Sequence, residues 1–145
     1  MSELEIGDYR AILEQCVAAW NRSDAEGTAS FYTDEMDYRD PNVPDGIHTR
    51  ADFTKYLRLL FRLWPVQEWH EDELLEHAEK GCFTVCYRFR FANPRRSQSI
   101  QGHGIDRIEF RGSSIRRNWV YLNADAWRRW IKLESSGMQI YPGTG

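Results

Sequence analysis

The stretch Gln101-Gly102-His103-Gly104-Ile105-Asp106-Arg107-Ile108-Glu109-Phe110 decides how the chain folds. Its residues alternate in character, and side chains on a strand point to opposite faces in turn. Ile100, Gly102, Gly104, Asp106, Ile108 and Phe110 share one face; Gln101, His103, Ile105, Arg107 and Glu109 share the other. Asp106 therefore falls among residues that belong in a core. An isolated carboxylate there is costly, so it must be paired, line a cavity or be protonated. The two glycines on its face leave space beside it. Asp106 is the first candidate functional group, and the alternation turns His103 away from it.

The stretch sits inside a run of strands. Phe83, Val85, Tyr87, Phe89 and Phe91 alternate with Cys82, Thr84, Cys86, Arg88 and Arg90, the clearest strand signal in the chain. Lys80-Gly81 is a turn, and residues 66–79 before it form a polar, weakly patterned strand suited to a sheet edge. After Arg111 to Ser114 the chain turns into a last strand over 115–123. There Arg117, Trp119, Tyr121 and Asn123 share one face and Asn118, Val120 and Leu122 the other, with the inward set left open. A short helix carrying Trp127, Trp130 and Ile131 follows, and residues 135–145 read as a flexible tail.

The first half reads as helices. Ile6, Tyr9, Leu13, Cys16, Val17 and Trp20 recur at helical spacing. Ser23 with Glu26 fits a capping box, which starts a second helix at Asp24 that runs to about Tyr32. Met36 to Asp40 is a short strand stopped by Pro41, and a loop to Gly46 follows. A third helix runs from about Arg50 to Trp64, with Phe53, Tyr56, Leu57, Leu60 and Phe61 on its apolar stripe, and Pro65 ends it. Helices followed by antiparallel strands give an α+β domain, expected over residues 1–134.

Composition narrows the function. A net charge of −3 over 145 residues suggests neither a nucleic-acid nor an anionic-membrane partner, and 41% hydrophobic residues is ordinary for a globular protein. No apolar run reaches membrane-spanning length and the acidic start is no signal peptide, so cytoplasmic residence is expected. Cys16, Cys82 and Cys86 have no metal-type spacing, alone or with His77 and His103. They read as reduced thiols, and neither metal nor cofactor is expected.

Three segments carry a resemblance: Val17-Ala18-Ala19-Trp20-Asn21-Arg22-Ser23-Asp24, Tyr38-Arg39-Asp40-Pro41, and Gly104 to Phe110. In these the chain resembles the nuclear-transport-factor-2-like superfamily over about residues 6–124, most of all its steroid Δ-isomerases and SnoaL-type polyketide cyclases. The resemblance implies a cone-shaped, strongly curved sheet with three N-terminal helices on its concave face. It also implies a general base at Asp40 and a protonated aspartic acid donating to an oxyanion at Asp106, the handling of an acid that a steroid isomerase exemplifies. The family's donor tyrosine on the first helix falls at Cys16, and a thiol is a weak donor. A supporting family tyrosine aligns with Tyr56 once a loop residue is deleted, and another with Tyr32. Related dehydratases pair a His with an acid of the second helix, here His103 and Asp24, which would need a bulge to turn His103 inward.

A small cofactor-independent enzyme is the expectation. Asp40 would move a proton, neutral Asp106 would donate to an enolate oxygen, and Tyr38 or Tyr56 would assist; His103 completes the catalytic candidates. Isomerisation, cyclisation and dehydration all need such a pair. Cys16, Trp20, Tyr32, Phe53 and Leu57 would contact an apolar, carbonyl-bearing substrate, as would Tyr87, Phe89, Trp119 and Tyr121. The alternative is a non-catalytic ligand-binding or dimerisation module of the same fold. In either case the outer sheet face would join two copies.

Overall fold

The computed structural model describes residues 3–124. Helices α1 (Ile6–Asn21) and α2 (Ala25–Ala29) lead into strand β1 (Tyr32–Arg39). A short strand β2 (Ile47–Thr49) precedes helix α3 (Arg50–Leu63). Strands β3 (Val66–Glu76), β4 (Cys82–Asn93), β5 (Gln98–Arg111) and β6 (Ser114–Ala124) complete an open six-stranded sheet ordered β2-β1-β6-β5-β4-β3. The architecture is the expected α+β. The expected helix around Trp127 and the tail over 135–145 lie outside the described residues.

Two local expectations are corrected. Asp24, not Ser23, caps α2: it is extended, and its carboxylate accepts from the Gly27 amide at 2.9 Å. Ser23 instead adopts a left-handed φ of 56° and donates its hydroxyl to the Pro65 carbonyl, tying the end of α1 to the start of β3. Helix α2 stops at Ala29 and β1 starts at Tyr32, because the polar run Thr33-Asp34-Glu35 is extended rather than helical. Between the loop after Asp40 and α3, strand β2 pairs with β1 and ends at Thr49, the cap of α3. The sheet is mostly antiparallel, as expected, with β1 pairing parallel with β6 and placing Tyr38 opposite Asn118. The other strand pairs are antiparallel.

Helices α1 and α3 close one side of the curved sheet. Tyr9, Leu13, Cys16 and Trp20 of α1 and Phe53, Leu57 and Phe61 of α3 join Phe83, Tyr87, Ile108, Phe110 and Val120 of the sheet in one core. Register bulges at Glu71/Glu73 and Glu109/Phe110 add local twist to the strands that carry this face. Among the described residues no helix is long and apolar enough to cross a membrane.

Candidate active site

Alternation along β5 works as read: Gly104, Ile108 and Phe110 are buried, while Gln101, His103, Ile105 and Arg107 are exposed. Asp106 points to the helix side of the sheet, between Val85 of β4 and Val120 of β6. Its two neighbours on the diagonal supply hydrogen bonds. The Tyr87 hydroxyl donates to Asp106 Oδ1 at 2.7 Å, and Asn118 Nδ2 donates to Oδ2 at 3.0 Å. Asn118 Oδ1 in turn accepts from the Tyr32 hydroxyl at 2.8 Å, which fixes the amide's orientation.

Gly104 makes the Tyr87 contact possible. It lies directly across from Tyr87, and a Cβ built on it would come within 2.5 Å of the tyrosine ring and hydroxyl. Only a residue without a side chain lets the ring lie across β5 with its hydroxyl on Asp106. The Asp106 carboxyl is enclosed even though the residue as a whole is half-buried. Burial pushes it up to about 6; Tyr87 and Asn118 hold it down, and the negative charge of Asp40 pushes it further up. The two donors oppose burial only in part, and the carboxyl stays well above its ordinary value. Tyr87 itself is raised well above a normal phenol by burial and by that carboxylate.

Beside Asp106 lies a cavity of about 320 Å³. Its walls are the rings of Trp20, Tyr38, Trp69 and Tyr87. Leu13 and Val17 of α1 and the sheet residues Val85, Ile108 and Val120 make the rest apolar. Exposed Glu14 and Glu71 stand at the mouth. Trp20 and Trp69 meet edge to face with centroids 5.6 Å apart, and Trp69 meets Tyr87 at 4.9 Å. The Trp69 indole donates to Gln67 Oε1, which holds its plane.

Asp40 has a different setting. It follows the last residue of β1 and is only 8% exposed. Tyr38 and Tyr56 donate their hydroxyls to Oδ2 at 2.8 and 2.5 Å. The amides of Asn42 and Val43 donate to Oδ1 at 2.7 and 3.2 Å. All four lone-pair positions of the carboxylate are thereby taken. Burial raises Tyr38 and Tyr56 well above a normal phenol, with the Asp40 charge adding to it. Asp40 is not part of the cavity lining, but the ring of its partner Tyr38 is.

Of the residues read as contacting substrate, Trp20 and Tyr87 line the cavity, as do Tyr38 and Asp106. Tyr32, Phe53, Leu57 and Phe89 are buried core instead. Cys16 sits behind the wall against the Tyr32 hydroxyl, and burial pushes its thiol up to about 12, so it stays neutral. Three further placements are corrected. His103 is exposed on the far face of β5, and no bulge resets its register there. Trp119 and Tyr121 lie on that same outer face. Trp119 is stacked by Arg39, Arg107 and Arg117 at 4.7, 5.6 and 4.8 Å, and Tyr121 is 60% exposed opposite Ile105. The inward set of β6 is Asn118, Val120 and Leu122, with the Asn118 amide bonded to both Asp106 and Tyr32. Trp69 and Glu71 were missed; the alternation Gln67, Trp69, Glu71 along β3 would have placed them together. Among the described residues no three His, Cys, Asp or Glu side chains group closely enough to hold a metal ion.

A model of the SnoaL-like domain matches residues 13–118. No curated protein sequence matches the chain. Among solved structures, SalBIII, an epoxide hydrolase/cyclase-like enzyme with a role in pyran ring formation in the polyether salinomycin, superposes with a TM-score of 0.72 at 13% identity, over 81% of this chain and 92% of that one. AclR of Streptomyces galilaeus gives 0.68 at 15% identity, over 96% and 87%. A protein of Catenulispora acidiphila with a ketosteroid isomerase-like fold, in complex with trimethylamine, gives 0.67 at 11% identity, over 76% and 83%. At these identities the likeness is one of fold.

Proposed function

The chain belongs to the SnoaL-like domain family, of the nuclear-transport-factor-2-like superfamily, and from that premise we propose that its cavity is the active site of a small cofactor-independent enzyme. The reaction moves a proton at carbon beside the carbonyl of an apolar substrate, as isomerisation, cyclisation and dehydration all require. One observation carries this reading: an enclosed carboxyl at about 6, in the wall of a cavity whose interior is mainly aliphatic and aromatic. A group poised near the working pH is suited to proton transfer.

The geometry favours Asp106 over Asp40 as the base. Asp40 would have to surrender one of four donors to take a proton, whereas Asp106 has two donors and faces the cavity. Tyr38 stays bonded to Asp40, and its side chain forms part of the cavity wall. The reverse assignment, Asp40 as base with neutral Asp106 as donor, makes the opposite prediction with pH. Exchange of the α-hydrogens of bound apolar ketones for deuterium, followed by NMR, tests both without knowing the final product. With Asp106 as base, the rate climbs as pH rises through about 6 and then levels; with neutral Asp106 as donor, it falls there. Asp106→Asn should cost at least about a hundredfold. An unchanged rate in that variant removes the proposal.

A second reading rests on a different fact. Both hydroxyls in the lining, Tyr38 and Tyr87, spend their protons on carboxylates, which also suits a cavity that binds without chemistry. Binding of ketones with no exchange in the wild type would select it. On either reading we propose that the outer face around Ile105 and Tyr121 pairs two copies of the chain. Sedimentation of Tyr121→Asp, expected as monomer against a wild-type dimer, checks this.

A further inference from the structure

The cavity has a charge pattern that the proposed proton transfer does not use. The acidic residues of its lining are Asp106 at the inner wall and Glu14 and Glu71 at the mouth. Among the described residues that line it there is no lysine, arginine or histidine. Arg10, bonded to Glu71 at 3.2 Å, lies outside the lining. Four aromatic side chains make up much of the wall. Trp20, Trp69 and Tyr87 contact one another in sequence, and Tyr38 flanks Trp20 at 6.5 Å.

Such a wall attracts a cation by its ring quadrupoles, and carboxylates at the rim of a low-dielectric cleft add to the field. An anionic ligand meets the reverse: like charge at both ends, and among the described lining residues no donor with a positive charge to offset its desolvation. We infer that the ligand of this cavity is a cationic amphiphile, an apolar body whose ammonium group lies against Trp20, Trp69 and Tyr87 toward Glu14 and Glu71. This rests on the proposed function for the location of the site and adds the charge of what enters it. The carbonyl end would then lie at Asp106 and the ammonium end at the mouth.

Three benzyl probes separate charge from shape: benzyltrimethylammonium, its uncharged carbon isostere neopentylbenzene, and the anion phenylacetate. Quenching of tryptophan fluorescence and calorimetry at pH 7.5 on the full chain read their affinities. The cation is expected to bind about tenfold tighter than the isostere, and phenylacetate to show no saturable binding. Glu14→Gln and Glu71→Gln should each lower cation affinity by about threefold while leaving the isostere's affinity within about twofold. Trp69→Leu should remove most of the cation's advantage. If the isostere binds as tightly as the cation, or phenylacetate binds best, the inference is overturned and the cavity reading survives. If cation binding is indifferent to all three substitutions, the cation sits elsewhere and the inference also fails. If none of the probes binds but ketone exchange still depends on Asp106, charge recognition alone is wrong; if exchange is absent as well, the proposed function goes with it.

Discussion

Asp40 and Asp106 are two buried carboxylates in one domain, and they have been treated in opposite ways. Asp40 ends a strand in a turn, where two backbone amides and two phenols satisfy it completely. Asp106 sits mid-strand, where backbone amides are committed to the sheet and only side chains from β4 and β6 can reach it. Two donors are too few to offset its desolvation, and its affinity for a proton rises accordingly. Place in the fold therefore separates them: a strand end offers free N–H groups and makes an acid structural, while a strand centre withholds them and leaves an acid poised.

The harshest test of this contrast is to delete the acid that is satisfied. Asp40→Ala leaves the hydroxyls of Tyr38 and Tyr56 and the amides of Asn42 and Val43 without their acceptor. A loss of about 3–5 kcal/mol in denaturant unfolding at pH 7 is expected, since unpaired buried donors bear their full desolvation cost. A loss below about 1 kcal/mol would mean that Asp40 is not the anchor of its turn.

Asp106→Asn should act with the opposite sign. The folded protein holds the Asp106 carboxyl at about 6, above its ordinary value of 3.8. Its contribution to stability is therefore full below the ordinary value and is lost as pH rises through about 6. The asparagine variant escapes that loss. Its stability relative to the wild type should rise by roughly 2–3 kcal/mol between pH 4 and pH 8. A flat difference across that range would place the two acids in the same class after all.

Much of this arrangement can be read from residue order, and the failures have physical causes. The face of Asp106 is legible because strand alternation is strict and Gly102, Gly104, Ile108 and Phe110 leave little choice of register. Helix α3 is legible from its stripe, and Pro65 marks its end. The inward face of β6 is not, because both of its sets mix polar and apolar residues. Trp119 looks like core until three arginines are found stacked on it. Strand β2 is too short for a pattern. The charge of Asp106 depends on Tyr87 and Asn118, which reach it across strand pairings that no local spacing announces. Asp40 shows the converse: its Asp-Pro position reveals the turn, but the phenol of Tyr56 arrives from a helix.

Gly104 offers a gentler way to disturb the comparison. Gly104→Ala brings a methyl group into the ring of Tyr87 and must push it away from β5. Overpacking of this kind costs about 1–3 kcal/mol, but a second readout separates the cost from its cause. With Tyr87 displaced, Asp106 loses the hydrogen bond that most strongly favours its ionised form. The midpoint of the deuterium-exchange profile should then move upward in pH, which general loosening of the core would not do.

Tyr87→Phe isolates that last effect with the least damage. It keeps the ring against Gly104, Trp69 and the cavity, and removes only the hydroxyl whose proton rests on Asp106 Oδ1. The stability lost should be small, about 1 kcal/mol, because the carboxylate can partly recover by protonation. What should change is the titration. With Asn118 as its one remaining hydrogen-bond donor, Asp106 moves further from Asp40 and its four, and its midpoint climbs above about 6, as ¹³C NMR of the labelled carboxyl would record. A midpoint that stays put in both Tyr87→Phe and Gly104→Ala would show that burial alone sets the proton affinity of Asp106. The number of donors would then not be what distinguishes the two acids.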